Sequence, residues 1–326
     1  FILGTLLCAL SPNFHFLLIG RIVTGLFGGV IGSISFAIIT DLFAVEVRGR
    51  VMGFVQMAFS AAQVLGLPIG LYLATHLSWH APFWMLVCFC ALVLILIIRF
   101  MQPVTGHLTT KHVTNPFKHL QATVSNRQYL LAFATTTLLA TGGFMLMPFG
   151  SAFSTNNLGI TLNQLTILYL VSGICSMIIG PMIGKASDKV GKYPIFVAGS
   201  VLTIVMVLIY TNLTTTPLGW LILINVIMFT GISSRMIASS ALLTVVPTMQ
   251  DRGAFMSINS SVQQISGGIG AFIGGLIVVE TPNHMILHYD TLGYVVVCTS
   301  LITVGMMFLL NKMVKKILAN RAALLK

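Results

Sequence analysis

Long apolar stretches separated by short polar turns constrain this chain more than any other feature. Ten occur, at about 1–11, 15–40, 50–75, 81–101, 129–151, 161–184, 193–213, 217–246, 253–279 and 292–312. A helix crossing the hydrocarbon of a bilayer needs about 20 mostly apolar residues, and all but the first stretch reach that length. Only 7% of the residues are charged, against roughly 25% in a soluble domain. Inside a bilayer every backbone N–H and C=O must be paired internally, which leaves helices or a closed barrel. The period-2 alternation of a barrel strand is absent, so the chain reads as an all-α membrane protein.

The net charge of +11 is not a nucleic-acid signature, because its placement is one-sided. Arg21 and Arg235 lie inside apolar stretches. The other Lys and Arg residues fall in alternate loops: Arg48 and Arg50; Arg99, Lys111, Lys118 and Arg127; Lys185, Lys189 and Lys192; Arg252; and Lys312, Lys315, Lys316, Arg321 and Lys326. The intervening loops, near Ser11–His15, Thr75–Pro82, Ser151–Asn163, Thr211–Gly219 and Glu280–Leu292, carry none. Basic loops stay in the cytoplasm during insertion, which predicts a multi-pass protein of the inner or plasma membrane with a cytoplasmic C-terminus.

The one long loop, Met101–Gln128, divides the chain into 1–101, a linker at 102–128, and 129–326. The two flanks are self-similar at a shift of 204 residues: Arg48-Gly49 matches Arg252-Gly253, Met52 matches Met256, Gly66 matches Gly270 and Gly70 matches Gly274. Both Arg-Gly turns face the basic side, so the repeat is parallel, as between two six-helix halves of a transporter. The second flank supplies six stretches and the first only four. Symmetry therefore predicts that Phe1 is a truncation point and that ten of twelve helices are represented.

Between the sixth and seventh stretches runs Gly184-Lys185-Ala186-Ser187-Asp188-Lys189-Val190-Gly191-Lys192-Tyr193-Pro194. Glycines permit a tight reversal and close helix approach. A carboxylate ending an apolar helix is expected to seek the N-terminus of a neighbouring helix, where negative charge is favoured. This turn resembles the cytoplasmic loop signature of the major facilitator superfamily, in its second-half copy. Arg21-Ile22-Val23-Thr24-Gly25, followed by Gly28, Gly29 and Gly32, resembles the fourth-helix motif of that family. Gly66-Leu67-Pro68-Ile69-Gly70 is similar to the Gly-Pro motif of its drug/proton antiporter branch, with Leu67 inserted between Gly and Pro.

The resemblance implies two six-helix bundles related by a pseudo-two-fold axis and a secondary transporter working by alternating access. It makes Gly184, Asp188, Lys189, Gly191 and Lys192 a gate. It sets Arg21 near a proton or substrate path. Gly25, Gly66, Pro68, Gly70, Gly270 and Gly274 are expected to permit close helix packing and bending.

Arg235, with Gly231, Ser233 and Ser234 nearby, and the polar groups Gln56, Gln63, Asn225, Gln263 and Gln264 lie at membrane depth, where such groups line a path or bond helix to helix. Thr141–Phe149, with Gly142, Gly143 and Pro148, is the interrupted stretch that points to a cavity. No acidic residue lies mid-stretch, so a titrating carboxylate for proton coupling is expected upstream of Phe1.

Five cysteines inside apolar stretches read as packing residues. The His76/His80 and His284/His288 pairs lack the further ligands of a metal site. Neither cofactor, metal nor enzymatic activity is expected. The predicted partners are a small molecule, protons and the bilayer, for a monomer. Proton-coupled efflux of a drug or sugar-like substrate is the reading, with an uptake symporter or a non-transporting membrane sensor or scaffold as alternatives.

Overall fold

The computed structural model describes residues 1–44, 46–101, 116–248 and 250–323. The helices are α1 (Ile2–Ala9), α2 (Phe14–Leu42), α3 (Arg48–Ala61), α4 (Leu67–His76), α5 (Ala81–Phe100), α6 (Pro116–Ser125), α7 (Arg127–Met145), α8 (Gly150–Ala152), α9 (Leu162–Val190), α10 (Lys192–Thr211), α11 (Leu218–Leu243), α12 (Arg252–Ile277) and α13 (Tyr289–Ala323). π-Helical turns at Ala62–Gly66 and Phe153–Asn157 interrupt two of the spans. A two-stranded antiparallel hairpin, β1 (Val279–Glu280) and β2 (Ile286–Leu287), joins α12 to α13.

Local chemistry sets several boundaries. Asn13 caps α2 by accepting from the Phe16 N–H at 2.9 Å. Thr161 and Gln164 form a reciprocal capping box at the start of α9. Gly191 sits at φ +109°, a backbone conformation that suits glycine, and lets α10 begin one residue after α9 ends. Pro68 lies in the first turn of α4, directly after the π-turn, where its missing N–H costs least.

Of the ten apolar stretches, seven form helices that are long and apolar enough to cross a membrane among the described residues. The exceptions are short α1, the broken α3–α4 and α12. In α12 the cause is chemical: Ser257, Asn259, Ser260, Ser261, Gln263 and Gln264 dilute the apolar content. Of the predicted linker, residues 102–115 lie outside the described residues, and Pro116–Ser125 is helical and packs on α7 and α12.

The second half holds two apolar cores. One, towards the basic end, gathers Phe133, Phe196, Leu242, Phe255, Met307 and Leu310. The other, towards the opposite end, gathers Phe153, Leu168, Val207, Tyr210, Leu221 and Tyr289. A third, smaller cluster joins the halves: Met52 of α3 against Ile237 and Ala241 of α11, flanked by Ile39 and Ile183. By contrast α5 buries no residue at all, and its exposed Leu and Ile side chains suit a lipid surround.

Small residues bring the helices together. A Cβ on Gly184 would collide with the Gly49 carbonyl oxygen, and one on Gly53 would lie 2.7 Å from the Gly180 carbonyl oxygen. Gly49/Gly53 on α3 and Gly180/Gly184 on α9 thus form facing Gly-x-x-x-Gly pairs across the two halves. Within the second half, Gly270 and Gly274 of α12 press on the Thr141 and Met145 carbonyls of α7. Their repeat mates Gly66 and Gly70 have no such neighbour within 4 Å.

Gly184→Val should therefore push α3 and α9 apart and cost about 1–3 kcal/mol, the usual range for overpacking. Thermal unfolding in detergent should show a clear fall in Tm. Gly143→Ala, at a site with open space around it, should leave Tm unchanged or raise it.

Candidate functional site

Among the described residues, three polar links between the halves gather at the end of the bundle that carries the basic residues. The first centres on Asp188, near the C-terminus of α9. Its Oδ1 accepts from the Gly49 N–H at 2.9 Å and its Oδ2 from the Arg50 N–H at 2.8 Å. Both donors belong to the first turn of α3, where four backbone N–H groups have no helical partner and the helix dipole favours an anion. Lys192, one turn further along, donates to Oδ1 at 3.3 Å and holds the carboxylate from its own side. The carboxylate reaches α3 because Gly49 and Gly184 leave room for the backbones to touch.

The second link is an ion pair. Arg252, at the start of α12, contacts Asp41, at the end of α2, at 2.7 Å. The third is Arg48, at the start of α3 and only 4% exposed. Its Nε donates to the Phe43 carbonyl at 3.0 Å, and its NH1 to the carbonyl and hydroxyl of Thr244, at 3.3 and 3.4 Å.

These last two links are related by the internal repeat. Arg48 and Arg252 are matched positions at the 204 shift, and Thr244 lies one residue from the match of Asp41. Each Arg-Gly turn thus sends its arginine to the end of the preceding helix in the other half. One acceptor is a carboxylate and the other is neutral. Below them, Ser260 Oγ of α12 donates to the Gly29 carbonyl of α2 at 3.2 Å.

Neighbouring groups brace this end. The Tyr129 hydroxyl donates to Asp251 Oδ2 at 2.7 Å and accepts from the Thr248 N–H at 3.2 Å, tying the start of α7 to the α11–α12 turn. Thr136 donates to Asn259 at 2.7 Å, continuing the contact between α7 and α12.

The residues expected along a transport path are not all brought to the seam between the halves. Arg21 on α2 is exposed, with no ion pair among the described residues. Gln263 is partly buried on α12. Gln56 and Gln63 sit on α3 and in the π-turn after it, and their side chains lie outside the described residues, as does that of Pro68. Gly25 on α2 has open space around it. Asn225 is 3% exposed and turns back to its own helix, donating to the Leu221 carbonyl at 3.0 Å.

Arg235 is held within the second half. It lies among α10, α11 and α13 inside the second half, with NH1 donating to Ser300 Oγ at 3.2 Å and the guanidinium 5.8 Å from the Phe196 ring centre. It is 4% exposed, and its Nε is unpaired. Of the two expectations for polar groups at this depth, a path or a bond from helix to helix, the contact with Ser300 is of the second kind, joining α11 to α13.

The interrupted stretch at Thr141–Phe149 is broken, with α7 ending at Met145. Side chains from other helices brace the segment that follows: the Tyr289 hydroxyl donates to the Leu146 carbonyl at 3.4 Å and the Tyr210 hydroxyl to that of Gly150 at 3.2 Å. The Ser154 and Tyr210 hydroxyls share a further hydrogen bond at 2.8 Å. No cluster of three or more His, Cys, Asp or Glu side chains able to hold a metal occurs among the described residues.

A family model described as Major Facilitator Superfamily matches residues 1–271 and, separately, residues 132–323. The chain belongs to the Major Facilitator Superfamily. The second match begins near the start of α7, so the later half fits the superfamily pattern by itself. The chain is 25% identical over 296 residues to the uncharacterized MFS-type transporter YbcL of Bacillus subtilis (strain 168), covering 91% of this chain and 74% of YbcL. It is 27% identical over 217 residues to the lincomycin resistance protein LmrB of the same organism, covering 64% of this chain and 40% of LmrB. The chain thus spans about three quarters of one relative and two fifths of the other. The crystal structure of the human organic anion transporter MFSD10 (TETRAN) has the same fold: TM-score 0.77 at 15% identity, over 94% of this chain and 74% of that one. A multi-pass membrane protein with a superfamily transporter fold follows.

Sequence reasoning singled out Asp188 but missed Arg48, Asp41 and Arg252 as cross-half groups. The repeat held the signal, since both arginines begin the same helix of their halves.

Asp188→Asn keeps one acceptor oxygen but loses the charge and one backbone acceptor, a change of about 1.5–3 kcal/mol for hydrogen bonds to a charged group. Spin labels at Arg99→Cys and Arg127→Cys, one in each half, should report a longer and broader distance distribution in this variant. Adding Asp41→Asn should broaden it further, in a salt-insensitive way, because the Arg252 ion pair is then already gone.

Proposed function

We propose that this chain serves in proton-coupled export of a small drug or sugar-like molecule, with its basic face in the cytoplasm. Two bundles, residues 1–101 and 129–326, rock against one another about a site at mid-membrane depth. The observation that carries this reading is the clustering of the cross-half links at one end. A protein whose halves had only to stay together would have no reason to hold them by one carboxylate, one ion pair and one arginine at a single face. A protein that must part them repeatedly would, because each link is worth only a few kcal/mol.

On this reading Gly184, Asp188, Lys189, Gly191 and Lys192 form the gate on the cytoplasmic side, closed in this conformation. Asp41–Arg252 and Arg48–Thr244 are its flanking locks. Arg21, with no ion pair among the described residues, is the proposed group on the coupling path, and Gln263 lines the seam. Gly66, Pro68 and Gly70 lie where the outward-going helix of the first half is broken, and bending there accompanies the exchange of access. Export is favoured by the similarity to a protein named for lincomycin resistance. It is favoured too by the Gly66–Gly70 motif, which resembles that of drug/proton antiporters. The working unit is a monomer, since each monomer holds both bundles.

The test is flux through the full-length protein in proteoliposomes, with lincomycin as probe and an imposed pH gradient. Lincomycin should accumulate against its gradient on the acidic side. Asp188→Asn should slow it roughly 10-fold, the equivalent of about 1.4 kcal/mol. Movement of the probe away from the acidic side would make the protein an uptake symporter. Absence of flux under either gradient, with this probe and with ethidium, would leave a sensor or scaffold.

A further inference from the structure

The last helix is longer than the membrane it crosses, and what protrudes is basic. α13 runs from Tyr289 to Ala323. Its apolar part, Leu292 to Leu310, rises about 27 Å at 1.5 Å per residue, close to the hydrocarbon thickness of a bilayer. The helix does not end there. Near that boundary Phe308 packs against Tyr193 at the start of α10, with ring centres 5.8 Å apart. A tyrosine at this depth is a marker of the interfacial belt.

Beyond this belt come Lys312, Lys315 and Lys316. They lie about 3 to 9 Å past Leu310 along the axis, within reach of a headgroup layer roughly 5–8 Å thick. The i, i+3, i+4 spacing puts all three on one side of the helix. Each is exposed, with no acidic partner among the described residues. The opposite side is apolar: Val314 is 3% exposed in the basic-end core, and Met313 packs against that core. The three ammonium groups are therefore mounted on a rigid extension rather than a loose tail. Three of the acidic residues near this end are engaged elsewhere: Asp188 with α3 and Lys192, Asp41 with Arg252, and Asp251 with Tyr129 and Thr248, while Glu46 lies in the exposed turn before α3.

We infer that the basic extension of α13 is a binding site for anionic phospholipid headgroups, with Lys312, Lys315 and Lys316 as its ligands. Each phosphate oxygen accepts from an ammonium, and the apolar back of the helix keeps the lysines at phosphate depth. Because Met307, Leu310 and Val314 belong to the same core as Phe255 and Leu242, a headgroup held here fixes the second half against the bilayer surface.

The full-length protein in nanodiscs of phosphatidylcholine doped with phosphatidylglycerol provides the test, with bound lipid read by native mass spectrometry after release. The wild-type protein should retain phosphatidylglycerol over phosphatidylcholine, less so at high salt. The triple variant Lys312→Gln/Lys315→Gln/Lys316→Gln should lose that preference by on the order of 100-fold, from about 1 kcal/mol per basic residue. The charge-preserving triple Lys→Arg variant should keep it. So should Arg50→Gln/Arg99→Gln/Lys185→Gln, which removes three charges from the same face away from α13. Equal loss in both glutamine variants, or no preference in the wild type, would overturn the site. Competition by inorganic phosphate as effective as by phosphatidylglycerol would overturn the lipid as its ligand.

Discussion

The carboxylate of Asp188 resting on the first turn of α3 is the contact around which the basic end of the molecule is arranged. It needs two backbones to come within touching distance, and that distance is set by Gly49 and Gly184. It also needs a helix to begin at Arg48, and Arg48 itself is anchored on the Phe43 and Thr244 carbonyls. The ion pair of Asp41 with Arg252 and the apolar contact of Met52 with Ile237 and Ala241 complete the same surface. Small residues, helix ends and a few charges together do what a large hydrophobic interface does in a soluble protein. In lipid there is no hydrophobic drive to hold helix against helix, and close packing with a few polar contacts takes its place.

Polar groups inside the bundle follow two different rules. Most hydroxyls return to their own helix, as Ser200, Thr203 and Thr211 do by donating to the carbonyl four residues back. A smaller set bridges elements: Tyr210 and Tyr289 on carbonyls of the segment after α7, Thr136 on Asn259, and Ser260 on Gly29. The bridging set is concentrated where helices are broken or where halves meet.

Much of this was legible in the sequence, and the limits have physical causes. The spans, the basic face and the repeat depend on patterns 20 or more residues long, which local accidents do not erase. Asp188 was visible because an acid at the end of an apolar stretch, among glycines, has few other uses. Arg48 was not, because a basic residue after a loop looks the same whether it anchors in headgroups or turns inward to a carbonyl. The direction of Arg235 depends on the rotation of α11 about its axis. That rotation is fixed by Gly231 packing on Gly199 and Thr203 of α10, a contact between distant segments. Asn225 satisfied itself on its own helix, an option open to any short polar side chain. The stretch that became α12 was legible by its length, but not the partners of its polar side chains: Asn259 meets Thr136 of α7 and Ser260 meets the Gly29 carbonyl of α2.

The donors that meet Asp188 are main-chain N–H groups, and nearly every amino acid supplies the same ones. The residue at position 50 can therefore drift without loosening the contact, so long as Arg48 keeps its anchor, glycine stays at 49 and proline is kept out of both donor positions. No charge exchange between partners can restore a lost carboxylate, since one partner has no side chain to exchange. Heritable adjustment of this junction is thus funnelled through position 188 and its lysine neighbour. Inherited change can alter the strength of the contact there, but at position 50 it meets a donor nearly blind to side-chain identity.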